Sequence, residues 1–300
     1  MSPRLLEYPT AKSLVICGDI HGDFHALVYR LCVRYGMTDT LLIVAGDCGF
    51  GFDRPRYYER VYNEDAGRLR KANNWIAFVR GNHDNPAYFN EERITHKRWR
   101  TVPDYSVISA CGHAILCIGG AVSIDRRDRI EEQTRRALRE TGYWWPDEAP
   151  VFSREAIRAL PLPVDTVVTH TAPSFCGLSG HANLSSWAED DPTLLVDVAA
   201  ERQTMDDILL ELRTTRAPLE SWFYGHFHRS GTVFVDGIRF RMLDILEFCE
   251  IQPKNLTSEE ILPGKTEGTE KKRERGDCRA PQPDGHRSKR ADITHPVHKI

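Results

Sequence analysis

The sequence predicts an α/β protein in which two β-sheets pack against each other. Two observations indicate this fold class. In the first third of the chain, apolar runs of strand length alternate with charged helical stretches, which is the order of a parallel sheet with covering helices. A second set of apolar runs follows a mainly helical middle segment. We therefore expect one large domain, residues 1–252, that contains two sheets and no internal repeat.

The first set comprises three strands and the two helices between them. In chain order, these elements are predicted over Leu14 to Gly18, Phe24 to Tyr35, Thr40 to Ala45, Asp53 to Asn73 and Trp75 to Val79. Because a helix separates each strand from the next, the three strands should run parallel. Their carboxyl ends should then meet at one edge of the sheet, where open α/β sheets place ligands.

The second set begins and ends with a hairpin. Val107 to Ala110 and His113 to Ile118 are short apolar runs, and the Cys111-Gly112 pair between them favours a tight turn. Asp236-Gly237 joins two later runs in the same way. The other predicted elements are a helix over Arg126 to Thr141, a strand over Asp165 to Thr169, a helix over Pro192 to Thr215, and strands over Trp222 to Tyr224, Gly231 to Val235 and Ile238 to Leu243.

The composition changes near Pro253. From that residue to Ile300 the chain has no Phe, Trp or Tyr and carries 11 basic and 8 acidic side chains. A segment with so little apolar surface cannot offset the entropy cost of ordering, so we predict that residues 253–300 form a disordered charged tail. The basic run from Lys271 to Arg275 is either a solvated part of this tail or a contact for an anionic partner.

Charge and hydropathy exclude several classes of protein. The chain has 40 basic and 43 acidic residues, a net charge of −3, so residues 1–252 carry −6 and offer no global attraction to nucleic acid or anionic membrane. The apolar runs are of strand length, far below the roughly 18 to 20 residues of a membrane span. No signal peptide is visible and the eight cysteines form no CxxC pair, so we expect a cytoplasmic protein with reduced thiols.

Residues of metal-ligating type follow five of the predicted strands. Four of the blocks are weak evidence alone, because a single Asp or His at a strand end is commonly a turn residue. GNHD is the sharp signal, since this composition gives only about 0.002 chance occurrences of it. Together, so many carboxylates and imidazoles converging without a cation would carry a large desolvation cost. The blocks are Asp19 and His21 in GDIHG, Asp47 in GD, Asn82, His83 and Asp84 in GNHD, His170 alone, and His226 and His228 in GHFH.

These ordered blocks resemble the calcineurin-like metallophosphoesterase superfamily, over roughly Leu14 to Ile245. The resemblance implies a four-layer α/β/β/α sandwich, two mixed sheets flanked by helices, with a dinuclear metal site at the carboxyl ends of the strands. It also implies two metal ions, for which Mn, Fe, Zn or Ni suit the nitrogen and oxygen donors. The implied ligands are Asp19, His21 and His228 for the first metal, Asn82, His170 and His226 for the second, and Asp47 as the bridge.

The resemblance also implies the chemistry, hydrolysis of a phosphate mono- or diester by in-line attack of a metal-bound hydroxide. His83 is expected to face the substrate, either as the general acid for the leaving oxygen or as a donor to the phosphoryl group. Asp84 is expected to hold the His83 ring. The second block lacks the Arg of GDxxDRG and the third ends in Asp84, so the chain is more similar to the phosphodiesterase-like or small bacterial branch than to the protein Ser/Thr phosphatases.

Substrate selection is expected to depend on the segments between the blocks. The stretch from Gly119 to Arg127 follows a strand and is expected to face the site. Arg126, Arg127 or Arg129 could bind phosphate in a bidentate manner, the alternative being a charged helix start on the surface. Tyr143 to Trp145 is either an aromatic wall for a nucleobase or packing. We expect a phosphorylated small molecule or nucleotide-like substrate.

Two alternatives remain open from the sequence. One is a non-catalytic scaffold that keeps the fold and binds a partner, although the intact set of blocks favours the enzyme. The other is a nuclease of the same superfamily, which should have a basic groove; the charge of −6 over residues 1–252 disfavours it.

Overall fold

The structure is a computed structural model, and it describes residues 3–136, 141–176, 184–215 and 217–254. The predicted tail lies outside these ranges except for Pro253 and Lys254, so its disorder stays a prediction. The basic run over residues 271–275 also lies outside the described residues. Lys254 donates a backbone hydrogen bond to the carbonyl oxygen of Cys111, and the domain boundary at residue 252 stays a prediction.

The described residues contain thirteen strands in two sheets. The first sheet has the order β13-β2-β3-β4-β6-β5, and the second has the order β1-β7-β8-β9-β10-β12-β11. The strands are β1 Leu5–Tyr8, β2 Ser13–Cys17, β3 Thr40–Ala45, β4 Trp75–Val79, β5 Thr95–His96, β6 Trp99–Thr101, β7 Ser106–Ala110, β8 His113–Ile118, β9 Thr166–Thr169, β10 Ser221–Tyr224, β11 Gly231–Val235, β12 Ile238–Met242 and β13 Phe248–Ile251.

Parallel pairing joins the strands that lead to the blocks. As predicted, β2, β3 and β4 are parallel neighbours, in the register Leu14, Leu41 and Trp75. In the second sheet β8, β9 and β10 are also parallel to one another. The two predicted hairpins are confirmed, as β7–β8 and β11–β12. Both sheets are mixed, because antiparallel strands complete their edges.

Seven α-helices flank the sheets within the described residues. They are α1 Phe24–Tyr29, which continues as a π-helical turn over Arg30–Arg34, α2 Pro55–Ala72, α3 Ala87–Asn90, α4 Arg126–Arg135, α5 Arg154–Arg158, α6 Leu184–Asp190 and α7 Leu194–Thr214. The helix α2 begins two residues later than predicted because Pro55 suits a first helical position. It ends at Ala72, where the next residue, Asn73, adopts the left-handed conformation that terminates helices. Of the helices described, none has the length and hydropathy needed to cross a bilayer.

Three apolar clusters give the predicted four layers. Side chains such as Ile43, Ile115 and Phe223 fill the space between the sheets. A second cluster packs the outer face of the first sheet against α1 and α2, and a third packs the outer face of the second sheet against α5 and α7. Strands such as β3 and β8 are buried on both faces, which explains why they are continuous apolar runs rather than alternating ones.

Four strands were missed by the sequence analysis. All are short, with two to four residues, and they lie at or near the edges of the sheets. The last of them, β13, pairs antiparallel with β2 and brings the end of the domain back beside that strand. A run of four residues carries too little periodicity to predict a strand, and its pairing depends on a partner more than 200 residues away.

Candidate metal centre

The blocks converge at one edge of the two-sheet sandwich. Asp19 and His21 follow β2, Asp47 follows β3 and Asn82 follows β4, all in the first sheet. The second sheet supplies His170 after β9, and His226 and His228 after β10. Every strand in this set is parallel to a neighbour that also ends in the site, so the strand ends place their side chains together.

One group of donor atoms contains Asp19, His21, Asp47 and His228. One ligand atom from each lies within 4.8 Å of the others. His228 Nε2 is 3.0 Å from Asp19 Oδ2 and 2.9 Å from His21 Nε2. Asp19 is completely buried, whereas the side chains of His21 and His228 remain partly exposed, so the group opens to solvent on the imidazole side.

This first group fits a divalent cation. Asp19 Oδ2 is buried and accepts no well-aligned hydrogen bond within the described residues, although His228 Nε2 lies 3.0 Å away and an ionised carboxylate oxygen in such a place normally has a donor. Two imidazole nitrogens point at each other across 2.9 Å beside it. A cation between them would satisfy the carboxylate oxygen and both lone pairs at once.

A second group forms around His170, which is completely buried. Its Nε2 lies 3.0 Å from both Asn82 Oδ1 and Asp47 Oδ1, while its Nδ1 lies 2.8 Å from the carbonyl oxygen of Ala45. A carbonyl can only accept, so Nδ1 carries a proton and Nε2 faces two oxygen acceptors. The His226 ring lies edge-on beside it, at a centroid distance of 4.9 Å.

The second group therefore also requires positive charge at its centre. Burial alone would lower the pKa of His170, but the Asp47 carboxylate overrides it and raises the pKa to about 10. With no metal, a second ring proton supplies the charge. A metal ion would replace that proton and take Nε2, Asn82 Oδ1 and Asp47 Oδ1 as ligands.

Asp47 takes part in both groups. Its Oδ1 faces His170, and its Oδ2 lies 3.9 Å from both His21 Nδ1 and His83 Nε2. Burial opposes ionisation, but the surrounding imidazoles, His170 foremost, hold the pKa of this carboxyl well below its usual range. An ionised carboxylate with one oxygen toward each group is the arrangement that a bridging ligand needs.

The backbone of the blocks is unusual. His21, Asp47, His226 and His228 all have left-handed backbone, with φ between 46° and 68°, a conformation that costs about 1–3 kcal/mol for such residues and clusters at functional sites. At Gly81 the backbone leaves no room for a side chain, because a Cβ there would lie 2.1 Å from Asp47 Oδ1. The turns after the strands thus aim several ligands inward at some cost in stability.

We expected Asp84 to hold the His83 ring, but its carboxylate binds backbone N–H groups instead. Its two carboxylate oxygens accept four backbone N–H groups, those of Gly81, Cys48, Gly49 and Phe50, within 2.9 Å. Three of these donors belong to the loop after β3. The carboxylate therefore holds the Asp47 loop against the GNHD loop, and its effect on catalysis would be exerted through the position of Asp47.

His83 contacts a residue of α4 instead. Arg129 Nη2 lies 2.6 Å from His83 Nε2, and Arg129 itself is buried, with its Nε 2.6 Å from Asp125 Oδ1. The His83 side chain keeps 21% of its surface exposed, so it can meet a substrate. Burial lowers the pKa of His83 to about 4; the Asp47 charge opposes this shift and Arg129 adds to it.

Arg126 and Arg127 do not point at the cluster. The guanidinium of Arg126 forms ion pairs with Asp191 and Asp197, and that of Arg127 contacts Glu131 and Asp190. Among the three arginines of this segment in the described chain, Arg129 is the one that contacts a site residue. An i,i+4 pair with Asp125 fixes its direction, and this pairing was the available signal for it in the sequence.

Three further features near the site were missed or left open. Phe52 lies beside His83, at a ring distance of 6.1 Å, and within 5.7 Å of the rings of Tyr143 and Trp145. Ser123 accepts a hydrogen bond from the Asn82 side chain. The prediction that the segment from Gly119 faces the site was the signal for Ser123, whereas no spacing pointed to Phe52.

With this geometry established, comparison with known proteins assigns the family. Residues 12–230 match the model of the calcineurin-like phosphoesterase family, so the chain belongs to it. A comparison with curated proteins gives no significant match.

The chain is also similar to several solved structures, all at low identity. It is 16% identical to a phosphopantetheinyl hydrolase from Mycobacterium tuberculosis, covering 78% of this chain and 91% of that one, with a TM-score of 0.35. It is 12% identical to a dimetal phosphatase from Danio rerio, covering 80% and 92%, with a TM-score of 0.41. It is 12% identical to a cold-active protein-tyrosine phosphatase of a psychrophilic Shewanella species, covering 83% and 77%, with a TM-score of 0.33.

Proposed function

We propose that the protein is a metal-dependent phosphoesterase that hydrolyses a phosphate mono- or diester. The observation that carries this proposal is the pair of ligand groups that share Asp47. Each group brings buried oxygen and imidazole donors to a centre that needs positive charge. Membership of the calcineurin-like phosphoesterase family supports the same activity.

The two groups would hold two metal ions, from among Mn, Fe, Zn and Ni. Asp19, His21 and His228 would bind the first, Asn82, His170 and His226 the second, and Asp47 both. When bound, a metal pair lowers the pKa of water and polarises phosphoryl oxygens, which permits in-line attack of hydroxide on phosphorus without a covalent enzyme intermediate.

His83 and Arg129 would act on the substrate. His83 Nε2 lies 3.9 Å from Asp47 Oδ2, and the Arg129 guanidinium contacts His83. The guanidinium can donate to phosphoryl oxygens, and its burial beside Asp125 limits the freedom that it would lose on binding. His83 would donate a hydrogen bond to the phosphoryl group from its neutral ring, or protonate the leaving oxygen where the negative charge of bound substrate raises its pKa from about 4. A leaving-group series separates these two roles.

The surroundings of His83 support a nucleotide-like substrate. Phe52, Tyr143 and Trp145 form a cluster of half-buried aromatic rings on the His83 side of the site. A ring of the leaving group or of a nucleobase could stack there, at a typical gain of about 1–3 kcal/mol. An aliphatic ester would gain less from the same surface.

The test is turnover of bis-p-nitrophenyl phosphate and of p-nitrophenyl phosphate by the full chain with added Mn²⁺, followed by a panel of nucleotide and aliphatic esters. We expect hydrolysis that disappears with a chelator and returns with Mn²⁺. A chain that binds no metal and turns over none of these esters would be the scaffold. Salt-sensitive DNA binding with DNA cleavage would favour the nuclease.

A further inference from the structure

Behind Asn82, on the side away from the ligand groups, two more buried side chains continue the hydrogen bonding. Asn82 Nδ2 donates to Ser123 Oγ at 3.0 Å, and Ser123 Oγ donates to Glu148 Oε2 at 2.6 Å. The backbone N–H of Ser123 donates to the other oxygen, Glu148 Oε1, at 2.8 Å. All three residues are nearly inaccessible to solvent, at 1–3% exposure.

We propose that Ser123 and Glu148 are positioning residues that determine which end of the Asn82 amide faces the metal centre. The inference rests on the proposed function, because it concerns the affinity of the site formed by Asn82, His170 and His226. Neither residue belongs to the blocks GDIHG, GD, GNHD and GHFH.

The direction of the amide follows from the chemistry of the donors. An ionised carboxylate can only accept, so Glu148 draws both the N–H and the O–H of Ser123 toward itself. The hydroxyl proton is then committed, and only lone pairs of Ser123 Oγ remain for Asn82. Asn82 must therefore present its NH₂ to Ser123, which leaves Oδ1 directed at His170, the orientation in which it can bind a cation.

The surrounding contacts hold this set in place from both sides. Arg80, two residues before Asn82, donates from Nη1 to the carbonyl oxygen of Glu148 at 2.7 Å. Glu201 accepts the N–H of Val122 and the hydroxyl of Thr171, which are the chain neighbours of Ser123 and His170. A rigid arrangement of this kind transmits a change at Glu148 to the ligand atom of Asn82.

The experiment is calorimetric titration of the full-length chain with Mn²⁺ at pH 8, where Glu148 is mostly ionised although burial raises its pKa to about 7. The wild type is expected to bind two ions. In Ser123→Ala the Asn82 amide loses the acceptor of its NH₂ group. We expect the site that contains Asp19 to keep its affinity for Mn²⁺, and the site that contains Asn82 to bind Mn²⁺ about 10- to 100-fold more weakly.

Glu148→Gln is the sharper variant because it preserves size and shape. The backbone N–H of Ser123 would take the single carboxamide oxygen, so the new NH₂ group would face Ser123 Oγ. The hydroxyl proton would then be free to donate to Asn82 Oδ1 and turn the amide over. We expect the second Mn²⁺ to bind about tenfold more weakly, whereas a residue that only fills space would tolerate this change.

Two matched controls separate this effect from general damage to the core. Ser106 is a fully buried serine whose Oγ makes no hydrogen bond among the described residues, and Glu211 is a buried glutamate paired with Arg154 and Arg158. Ser106→Ala and Glu211→Gln should bind both ions as the wild type does. Wild-type affinities in both Ser123→Ala and Glu148→Gln would overturn the inference. A wild type that does not bind two ions would overturn the proposed metal centre itself, and the two failures are thereby distinguished.

Discussion

Asp47 occupies the position on which both ligand groups depend. Its two oxygens face different imidazoles, its left-handed backbone turns the side chain inward, and its loop is fixed by three hydrogen bonds to Asp84. Neighbouring residues would thus have separate tasks: we propose that Asn82 and Asp47 bind metal and that His83 faces the substrate, while Asp84 holds the loop.

We expect Asp47→Asn to lose one of two metal ions and nearly all activity, because an amide offers one oxygen and no charge to two cations. The loss should exceed the roughly 10- to 100-fold that removing an outer partner of a ligand costs. Metal analysis of the purified chain and turnover with Mn²⁺ measure both effects. Asp65→Asn, at another buried aspartate, is the control and should keep both ions. Two bound ions in Asp47→Asn would refute the bridging role.

For His83→Ala we expect both metal ions to remain and turnover to slow, by about 10²- to 10⁴-fold for esters with poor leaving groups. A general acid matters most when the leaving oxygen is basic. The measurement is kcat for a series of aryl phosphate esters. The control is His96→Ala, because His96 lies in the edge strand β5 and stacks on Tyr62 of α2, outside the candidate site. Equal slowing along the series would indicate that His83 binds the phosphoryl group and is not the acid.

At the scale of elements, the strand ends could be predicted from the sequence and the helix orientations could not. The ligands follow buried parallel strands, and apolar runs of that length are visible without a structure. Which arginine of α4 points inward depends on the rotation of the helix, since each residue turns it by about 100°. Arg129 faces His83 because Asp125 holds it, whereas Arg126 faces the acidic residues 190–197. The contacts of Asp84 were not predicted because three of its four donors come from a loop more than thirty residues earlier.

Near the turn between β7 and β8, His113 and Asp165 form an ion pair whose contribution to the stability of the fold should depend on pH. The buried His113 at the start of β8 donates from Nδ1 to Asp165 and from Nε2 to the carbonyl oxygen of Gln252, and Lys254 also faces Asp165. Burial opposes protonation, but the bonds to Asp165 and Gln252 prevail and raise the pKa of His113. Its stabilising contribution is therefore complete below the unfolded value of 6.5 and is lost as pH rises through the folded value.

We expect His113→Gln to lower the free energy of unfolding by about 1–3 kcal/mol at pH 6 and by less at pH 9. Urea denaturation of wild type and variant at both pH values measures the difference. A deficit that stays constant or grows between pH 6 and pH 9 would contradict a protonated His113 in the folded state.

At the scale of the whole molecule, both sheets contribute residues to the candidate site. The first sheet supplies the ligands at Asp19, His21, Asp47 and Asn82, and the second supplies His170, His226 and His228. A metal pair would thus link the two sheets at the strand ends. Because binding favours only the folded chain, Mn²⁺ at 100 times its dissociation constant should add about 2.7 kcal/mol of stability per site. Thermal denaturation with and without Mn²⁺ measures this gain, which Asp47→Asn should reduce.

The predicted tail gives a second test at this scale. A chain that ends at Lys254 should unfold at the same temperature as the full chain, because the tail composition offers little to bury. A chain that ends at Ile251 should be less stable, since it loses the Gln252 carbonyl that binds His113 and the contacts of Lys254 with Asp165 and Glu220. Equal stability of these two shortened chains would contradict the boundary that the contacts of Lys254 define.

The most direct measurement is anomalous diffraction from crystals of the full chain grown with Mn²⁺. We expect two peaks about 3.5 to 4 Å apart, one beside Asp19 and His228, the other beside Asn82 and His226, with an Asp47 oxygen on each. Absence of both peaks at a saturating Mn²⁺ concentration, or peaks only at other residues, would contradict the account.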